Sequence, residues 1–228
     1  MTVQEIVTRV RSAIDELMEN DSDFIRQSGD EANLTRVIVD KIGYALQEVV
    51  EKAPLSKLDS STFATLTAGE LASSFTITQD LVGHLILPSD LLRVIDARLS
   101  SWSQYPLPEP DTSDVAMMQQ DSYARGSYDR PVNIITYEAS NRVLLMYSAR
   151  TSGDTLKFVF VRKPNVSGIS ASNMSQNVSV PSQLEAALVY QVAALAMVAF
   201  REDVAASLFA IAQRYLNLNQ EGPNTAEA

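Results

Sequence analysis

The sequence predicts an α+β protein in which a helical bundle from both chain ends carries a central antiparallel β-rich insertion. Apolar residues recur every three or four positions near both ends, which indicates amphipathic helices. Short runs rich in β-branched and aromatic residues, separated by turn residues, lie between them and indicate strands. We therefore expect bundle helices over residues 1–54, an insertion with loops over 55–180, further bundle helices over 181–220 and a flexible tail over 221–228.

Two helices are predicted at the N-terminus. Thr2 and Glu5 have the spacing of a capping box, in which each side chain binds the backbone N–H of the other residue. The apolar stripe of the first helix is Val3, Ile6, Val10, Ile14 and Leu17. The pattern breaks at residues 20–23. The stripe of the second helix is Leu34, Ile38, Ile42, Ala45 and Val49, and Pro54 ends it.

The insertion is predicted to contain five extended runs. They are Leu81–Leu87, Leu91–Leu99, Val132–Tyr137, Arg142–Tyr147 and Leu156–Arg162. Pro88-Ser89-Asp90 is typical of a turn between the first two runs. Three prolines at 106, 108 and 110 indicate a stiff, extended connector before the third.

The last three runs predict an antiparallel meander, because the loops at residues 139–141 and 152–154 suit hairpins. The final run alternates, which places Leu156, Phe158 and Phe160 on one face, the expected core side.

The C-terminal part follows a Ser- and Asn-rich loop over residues 165–180. Ser182 and Glu185 predict a second capping box, and an alanine-rich helix follows. A break at Glu202-Asp203 starts a last helix, whose stripe is Leu208, Ile211, Tyr215 and Leu218. A helix that is apolar nearly all round must be covered on every side, so the alanines indicate packing either inside the chain or between subunits. Both alternatives stay open.

The composition excludes several classes of function. The 228 residues carry 18 basic and 28 acidic side chains, a net charge of −10, with no cysteine and one histidine. Disulfides, thiol catalysis and thiolate metal sites are therefore excluded, and no His pair is present for zinc. The acidic balance argues against a sequence-blind nucleic-acid or phospholipid surface. The N-terminus has no secretory signal pattern, and residues 184–200 are short and weakly apolar for a membrane span, so we expect a protein made in the cytoplasm.

No motif identifies a catalytic or cofactor site, and we expect no enzyme, cofactor or metal. The glycines have neither nucleotide-loop nor Gly-x-Ser-x-Gly spacing. His84 lies in an apolar run, where a strand histidine at the surface or hydrogen-bonded in the sheet is favoured over a catalytic one. Asp21 and Asp23, with Asp30-Glu31 later, lack the glycine of a calcium loop and indicate a helix–helix turn. Asp111 and Asp114 suit a solvated linker.

Charge is segregated along the chain. Residues 128–164 hold six basic and three acidic side chains, whereas the rest of the chain is acidic. Basic and aromatic residues together resemble a single-strand nucleic-acid face, but the phenylalanines fall on the core side and the acidic remainder would repel a polyanion. We expect Arg142, Arg162 and Lys163 instead to meet acidic neighbours, including those of an adjacent copy of the chain.

Four motifs follow one another along the chain. They are LPSDLLR at 87–93 leading to Trp102, Arg130-Pro131 before a strand, VFVRKP at 159–164 and PSQLEAALVY at 181–190. In this order, with a helix pair at each end, they resemble the head–tail connector (adaptor) proteins of tailed bacteriophages, over about residues 2–218. The likeness is closest to adaptors of podovirus-like phages, including the crAss-like group.

The resemblance implies a structural virion protein without catalysis. Such adaptors form a ring, typically dodecameric, that docks below the portal protein, seals the DNA-filled capsid and provides a platform for neck and tail proteins. Packaged double-stranded DNA would pass through the channel without specific binding. The protein would be made in the host cytoplasm and located in the virion neck, with no membrane contact.

The resemblance also places the portal contact in the C-terminal region, from about Asp203 onward. The candidate interface residues are the cations Arg142, Arg162 and Lys163, from the charge pattern, and Leu208, Ile211, Tyr215 and Leu218, from the C-terminal region. The alternatives are another ring or tail-tube component of the phage neck, a scaffold or binding module acting off the virion, and a hydrolase using His84 and carboxylates.

Overall fold

The computed structural model describes residues 1–17, 30–121, 123–198 and 200–217 and divides the chain into two compact units. The helical unit combines Met1–Ser60 with Pro164–Ala228, and the β unit comprises Ser61–Lys163 and contains all the described strands. The α+β class, with helices at both ends and strands in the middle, is confirmed.

The described residues form six α-helices and eight strands. The helices are α1 (Val3–Leu17), α2 (Asp30–Lys52), α3 (Ala68–Ser74), α4 (Asp114–Met118), α5 (Glu185–Met197) and α6 (Glu202–Asn217). The strands are β1 (Phe63–Thr65), β2 (Phe75–Ile77), β3 (Val82–Ile86), β4 (Leu91–Leu99), β5 (Pro108–Pro110), β6 (Val132–Glu138), β7 (Asn141–Tyr147) and β8 (Leu156–Arg162).

Helix α1 begins with the predicted capping box. The N–H of Thr2 donates to Glu5 Oε2 (2.8 Å), and the N–H of Glu5 donates to Thr2 Oγ1 (3.2 Å). The predicted stripe is buried from Val3 to Ile14, but Leu17 at the helix end is 42% exposed. The first turn is also bonded to the 165–180 loop, because the N–H of Val3 donates to the carbonyl of Gln176 (3.0 Å).

Helix α5 lies at the centre of the helical unit, in contact with α1, α2 and α6. Four of its alanines, at 187, 193, 194 and 196, have no exposed surface, so of the two alternatives for the alanine-rich helix the structure shows packing inside the chain. The predicted capping box at its start is wrong. Residues Ser182–Leu184 form a 3-10 turn that leads into α5. Leu184 is the N-cap of α5, and no side chain forms a capping hydrogen bond there. The Glu185 carboxylate instead pairs with Arg9 on α1 (3.0 Å).

The β unit contains two sheets that share one buried core. A five-stranded sheet has the order β2-β3-β7-β6-β5, and a three-stranded sheet has the order β1-β8-β4. All neighbours are antiparallel except β5 and β6. The core takes side chains from both sheets, including Leu85, Leu144, Met146, Leu99, Phe158 and Phe160. The alternation predicted for β8 is confirmed, since Phe158 and Phe160 are each 1% exposed.

The predicted meander is wrong for its last strand. The loop at 139–141 joins β6 and β7 as a hairpin, but β8 pairs with β4 and β1 in the other sheet. The segment between β7 and β8 is long enough to cross between sheets. Asp154 holds it to the end of β4, because its Oδ2 accepts from Ser101 Oγ (2.6 Å) and from the N–H of Arg150 (2.7 Å).

The three-proline connector is a sheet edge as well as a linker. Pro108–Pro110 forms β5, which pairs in parallel with β6. Proline has no N–H, so it fits an edge strand better than a central one. The predicted solvated linker is therefore only partly right. Asp111 Oδ2 accepts from Thr136 Oγ1 (2.8 Å), whereas Asp114 lies exposed in the first turn of α4.

Candidate functional site

The three cations predicted to meet a partner lie together at one corner of the β unit. The turn at residues 87–90 connects them: its first N–H donates to the carbonyl of Arg142 (2.9 Å). Arg162 Nε lies 3.3 Å from Asp90 Oδ2, and the N–H of Lys163 donates to the carbonyl of Asp90 (2.7 Å). We call Arg142, Arg162 and Lys163 the basic corner.

The basic corner has more positive than negative charge. Arg162 forms an ion pair with Asp90, and its positive charge also interacts with the Glu70 carboxylate. Hydrogen bonds from the backbone N–H and the hydroxyl of Thr67 lower the pKa of the Glu70 carboxyl, and Arg162 adds to the effect. Within the described part of the chain, the half-buried Arg142 guanidinium has no carboxylate partner. Three cations therefore face two carboxylates.

Another cation of the 128–164 segment has its partner in the same unit. Lys157 Nζ lies 3.1 Å from Asp96 Oδ2, which also faces Arg98 Nε at 3.6 Å. The expectation that this segment meets acidic neighbours is therefore met inside the chain for Lys157 and Arg162. It stays a prediction for contacts with an adjacent copy.

The candidate residues of α6 differ in their exposure. Leu208 is fully buried, while Ile211 and Tyr215 are half-buried. Leu218 lies outside the described residues, as does the expected fraying of residues 220–228. Tyr215 stacks on Tyr190 of α5, with ring centroids 5.5 Å apart and planes inclined by 12°.

The stacked tyrosines form one wall of a cleft of about 510 Å³ between α1, the start of α5 and α6. Arg9, Ser12 and Glu16 line the opposite wall, because their spacing of three and four residues places them on one face of α1. We call this surface the tyrosine cleft. The tyrosine cleft could not be predicted from the sequence, because no pattern along the chain shows that Tyr190 and Tyr215 meet.

The tyrosine cleft has acidic character. Two carboxylates, Glu185 and Glu16, line the cleft. Glu185 forms an ion pair with Arg9, whereas Glu16 has no ion-pair partner among the described residues. Burial raises the pKa of the Tyr190 phenol, and the nearby Tyr215 and Glu16 raise it further. The cleft therefore presents the Tyr190 phenol, with its raised pKa, beside a carboxylate that has no ion-pair partner among the described residues.

A buried lysine fixes the end of α6 next to this cleft. Lys57 is 6% exposed, and its Nζ donates to the carbonyl of Tyr215. That carbonyl is one of the last four of α6, which have no partner within a helix. The ammonium also meets the negative end of the helix dipole, so Lys57 stabilises the last turn of α6.

The remaining candidates show no assembled catalytic group. His84 lies on β3, and its Nε2 is 2.7 Å from Glu138 Oε2, which confirms a histidine hydrogen-bonded in the sheet. Neither the tyrosine cleft nor the smaller cavity beside Trp102 is lined by His84. Asp21 and Asp23 lie outside the described residues, and the side chains of Asp30-Glu31, at the start of α2, are not described.

Two searches of the described residues gave negative results. No group of three or more His, Cys, Asp or Glu side chains in residues 1–17, 30–121, 123–198 and 200–217 could hold a metal ion. No helix in these ranges is both long and apolar enough to cross a membrane.

Comparison with known proteins identifies a family. A family model described as SU10 adaptor protein matches residues 1–226. A search of curated proteins found no match. The family match covers both compact units, and with them the basic corner and the tyrosine cleft.

Proposed function

We propose, since the chain belongs to the SU10 adaptor protein family, that it forms a ring below the portal protein of a tailed phage. The family identifies a structural phage adaptor, which is normally not an enzyme. The ring, which we propose is a dodecamer matching the portal, seals the DNA-filled capsid and provides the platform for neck and tail proteins. The match over residues 1–226 is the observation that carries the proposal.

The acidic character of the chain supports a channel through which DNA passes freely. A net charge of −10 repels phosphates, whereas a basic wall would retain them through the same Coulomb interaction. We propose that double-stranded DNA moves through the ring without specific binding. The chain is then a component of the virion neck, made in the host cytoplasm.

The proposed contacts fall on two surfaces. The portal contact involves α6 around the half-buried Ile211, together with the residues that follow Asn217. Leu208 contributes indirectly, because it is fully buried in the helical unit. The basic corner contacts an acidic surface of a neighbouring copy or partner.

The experiment is the mass of the purified chain with and without the portal protein of the same phage, by mass photometry. The proposal predicts a complex that exceeds the portal mass by a full ring of adaptor copies. A chain lacking residues 219–228 should bind the portal more weakly while keeping its circular dichroism spectrum.

The opposite result is equally informative. A chain that does not bind a correctly assembled portal contradicts the proposal. This result favours a ring lower in the neck or a role off the virion. An Asp129→Asn variant, changed at an exposed carboxylate of the β unit, serves as the control and should bind as the unmodified chain does.

A further inference from the structure

We propose that the basic corner of one copy docks into the tyrosine cleft of the next copy, so that the two surfaces form the repeating contact of the ring. This inference rests on the ring proposed above. It names both halves of the contact, which the charge pattern of the sequence alone leaves open.

The tyrosine cleft has the chemistry to accept a cationic side chain. Glu16 supplies a carboxylate without an ion-pair partner among the described residues, and Tyr190 and Tyr215 supply phenol oxygens and aromatic faces. The face of a tyrosine ring attracts a guanidinium electrostatically, and the attraction is stronger where water is excluded. The cleft volume of about 510 Å³ leaves room for a long side chain.

The chain itself shows that its arginines bind tyrosine in this way. Arg98 lies 4.3 Å above the ring centre of Tyr105, and Arg125 lies 5.2 Å from that of Tyr147. Arg142 has no such partner among the described contacts and stands next to the exposed residue Asn141. It is therefore the member of the basic corner that we assign to the cleft.

The opposite charge of the two surfaces suits a ring contact. In a closed ring each copy contacts its neighbours through two different faces, so the faces must be complementary to each other and not to themselves. The cleft belongs to the helical unit and the corner to the β unit, with opposite charge. Pairing cleft with cleft or corner with corner would bring like charges together, which disfavours wrong arrangements.

The absence of cysteine allows a direct test by disulfide cross-linking. Ser12 in the cleft and Asn141 beside Arg142 are both exposed, so S12C and N141C variants can be made with little effect on the fold. Equimolar S12C and N141C chains are assembled on the portal and oxidised. Peptide mass spectrometry then identifies which cysteines are joined.

The matched control is S12C mixed with S152C. Ser152 is exposed and follows the opposite end of β7 from Asn141, and β7 itself is about 20 Å long at about 3.3 Å per residue. A disulfide needs Cα atoms within about 7 Å, so we expect about tenfold more 12–141 than 12–152 product in the assembled ring. Unassembled chains should give equal, low yields of both.

The outcomes separate this inference from the proposed function. Equal yields in a normal ring overturn the docking of corner into cleft and leave the ring intact. Absence of any ring with unmodified chain overturns both. A disulfide between S12C and a cysteine of the portal, or one introduced into residues 219–228, identifies a different occupant of the cleft. That result also overturns the inference.

Charge exchange gives a second, independent measurement. Glu16→Arg alone and Arg142→Glu alone should each reduce ring formation about tenfold at limiting concentration, because each places like charges in contact. Mixing the two variants in equal amounts should restore the ring, because in an alternating ring with an even number of copies every contact of corner with cleft again joins opposite charges. The double variant should restore it, whereas a double variant as defective as either single one contradicts the inference.

Discussion

The helical unit and the β unit each bury two polar side chains among the described residues, but they use them differently. In the helical unit, Lys57 bonds the end of α6 and Gln191 Nε2 donates to Glu48 Oε2 of α2 (2.7 Å), so both join helix to helix. In the β unit, Gln119 and Asn133 bond the backbone of the long segment between β4 and β6.

This difference follows from how each unit satisfies its backbone. Helices bond their own N–H and carbonyl groups, so polar side chains are needed only at their ends and between them. The segment at 100–131 has little regular structure, and its groups must find side-chain partners. The Arg98–Tyr105 and Arg150–Tyr128 contacts add to the same anchoring. Removal of a buried polar contact should therefore free the 100–131 segment in the β unit, but loosen a helix contact in the helical unit.

The largest expected effect comes from the apolar core, where the two units are alike. Phe160→Ala should lower the free energy of unfolding by about 3–5 kcal/mol, because it removes a 1% exposed ring shared by both sheets. Chemical denaturation followed by fluorescence measures the change. Tyr137→Ala, at a 71% exposed site in the same unit, should change it by less than about 0.5 kcal/mol. Equal losses in the two variants would contradict this core assignment.

The next effect separates the units. Asn133→Ala should cost about 2–4 kcal/mol, because it removes the side-chain donor from the buried carbonyl of Ala97 (2.8 Å) and from the half-buried carbonyl of Pro106 (3.0 Å). The loss should be local, so limited proteolysis should cut first within residues 100–131. First cuts elsewhere, with this segment intact, would show that Asn133 does not hold it.

In the helical unit the matching change is Lys57→Met, which keeps the length of the side chain and removes its charge. We expect a loss of about 1–3 kcal/mol and faster hydrogen exchange in the last turn of α6, because the Tyr215 carbonyl loses its donor. Lys41→Met, on the exposed face of α2, is the control. If both variants exchange alike, Lys57 does not fix the helix end.

The smallest effect depends on pH. Burial raises the pKa of the Asp154 carboxyl, but hydrogen bonds from Ser101 and from the backbone of Arg150 and Thr151 outweigh it and lower the pKa. The carboxylate therefore stabilises the β unit above the unfolded pKa of about 3.9, and this contribution is lost as the pH falls through the folded pKa.

Asp154→Asn tests this sign. It should cost about 1 kcal/mol at neutral pH and should flatten the loss of stability below about pH 4. Thermal unfolding from pH 3 to pH 7 measures both. Asp129→Asn, at an exposed site without such bonds, should keep the pH profile of the unmodified chain. A D154N profile that is as steep as the original would assign the acid sensitivity to other groups.

The sequence predicts what is local in this fold. Periodicity located α1, α2, α5 and α6, and the Thr2–Glu5 spacing predicted a cap that is present. It could not predict which sheet β8 joins, because that depends on contacts between residues far apart in the chain. The Ser182 cap failed for the same reason, since Glu185 finds Arg9 of α1 instead.

The candidate surfaces follow the same division. Clustered charge predicted the cations of the basic corner, but only the fold shows that one end of the turn at 87–90 bonds Arg142 and the other end bonds Arg162 and Lys163. The tyrosine cleft needs α1, α5 and α6 in place before it exists. Its residues carry no spacing signal that links Tyr190 to Tyr215.

The central claim, that this adaptor forms a ring on the portal, is tested most directly by counting its copies in the virion. Quantitative peptide mass spectrometry of purified particles gives the ratio of this chain to the portal protein. A ring that matches the portal predicts one copy of this chain per portal subunit. These copies should remain after mild denaturant removes the tail proteins. A chain that is absent from purified virions, or present at a small fraction of the portal, would contradict it.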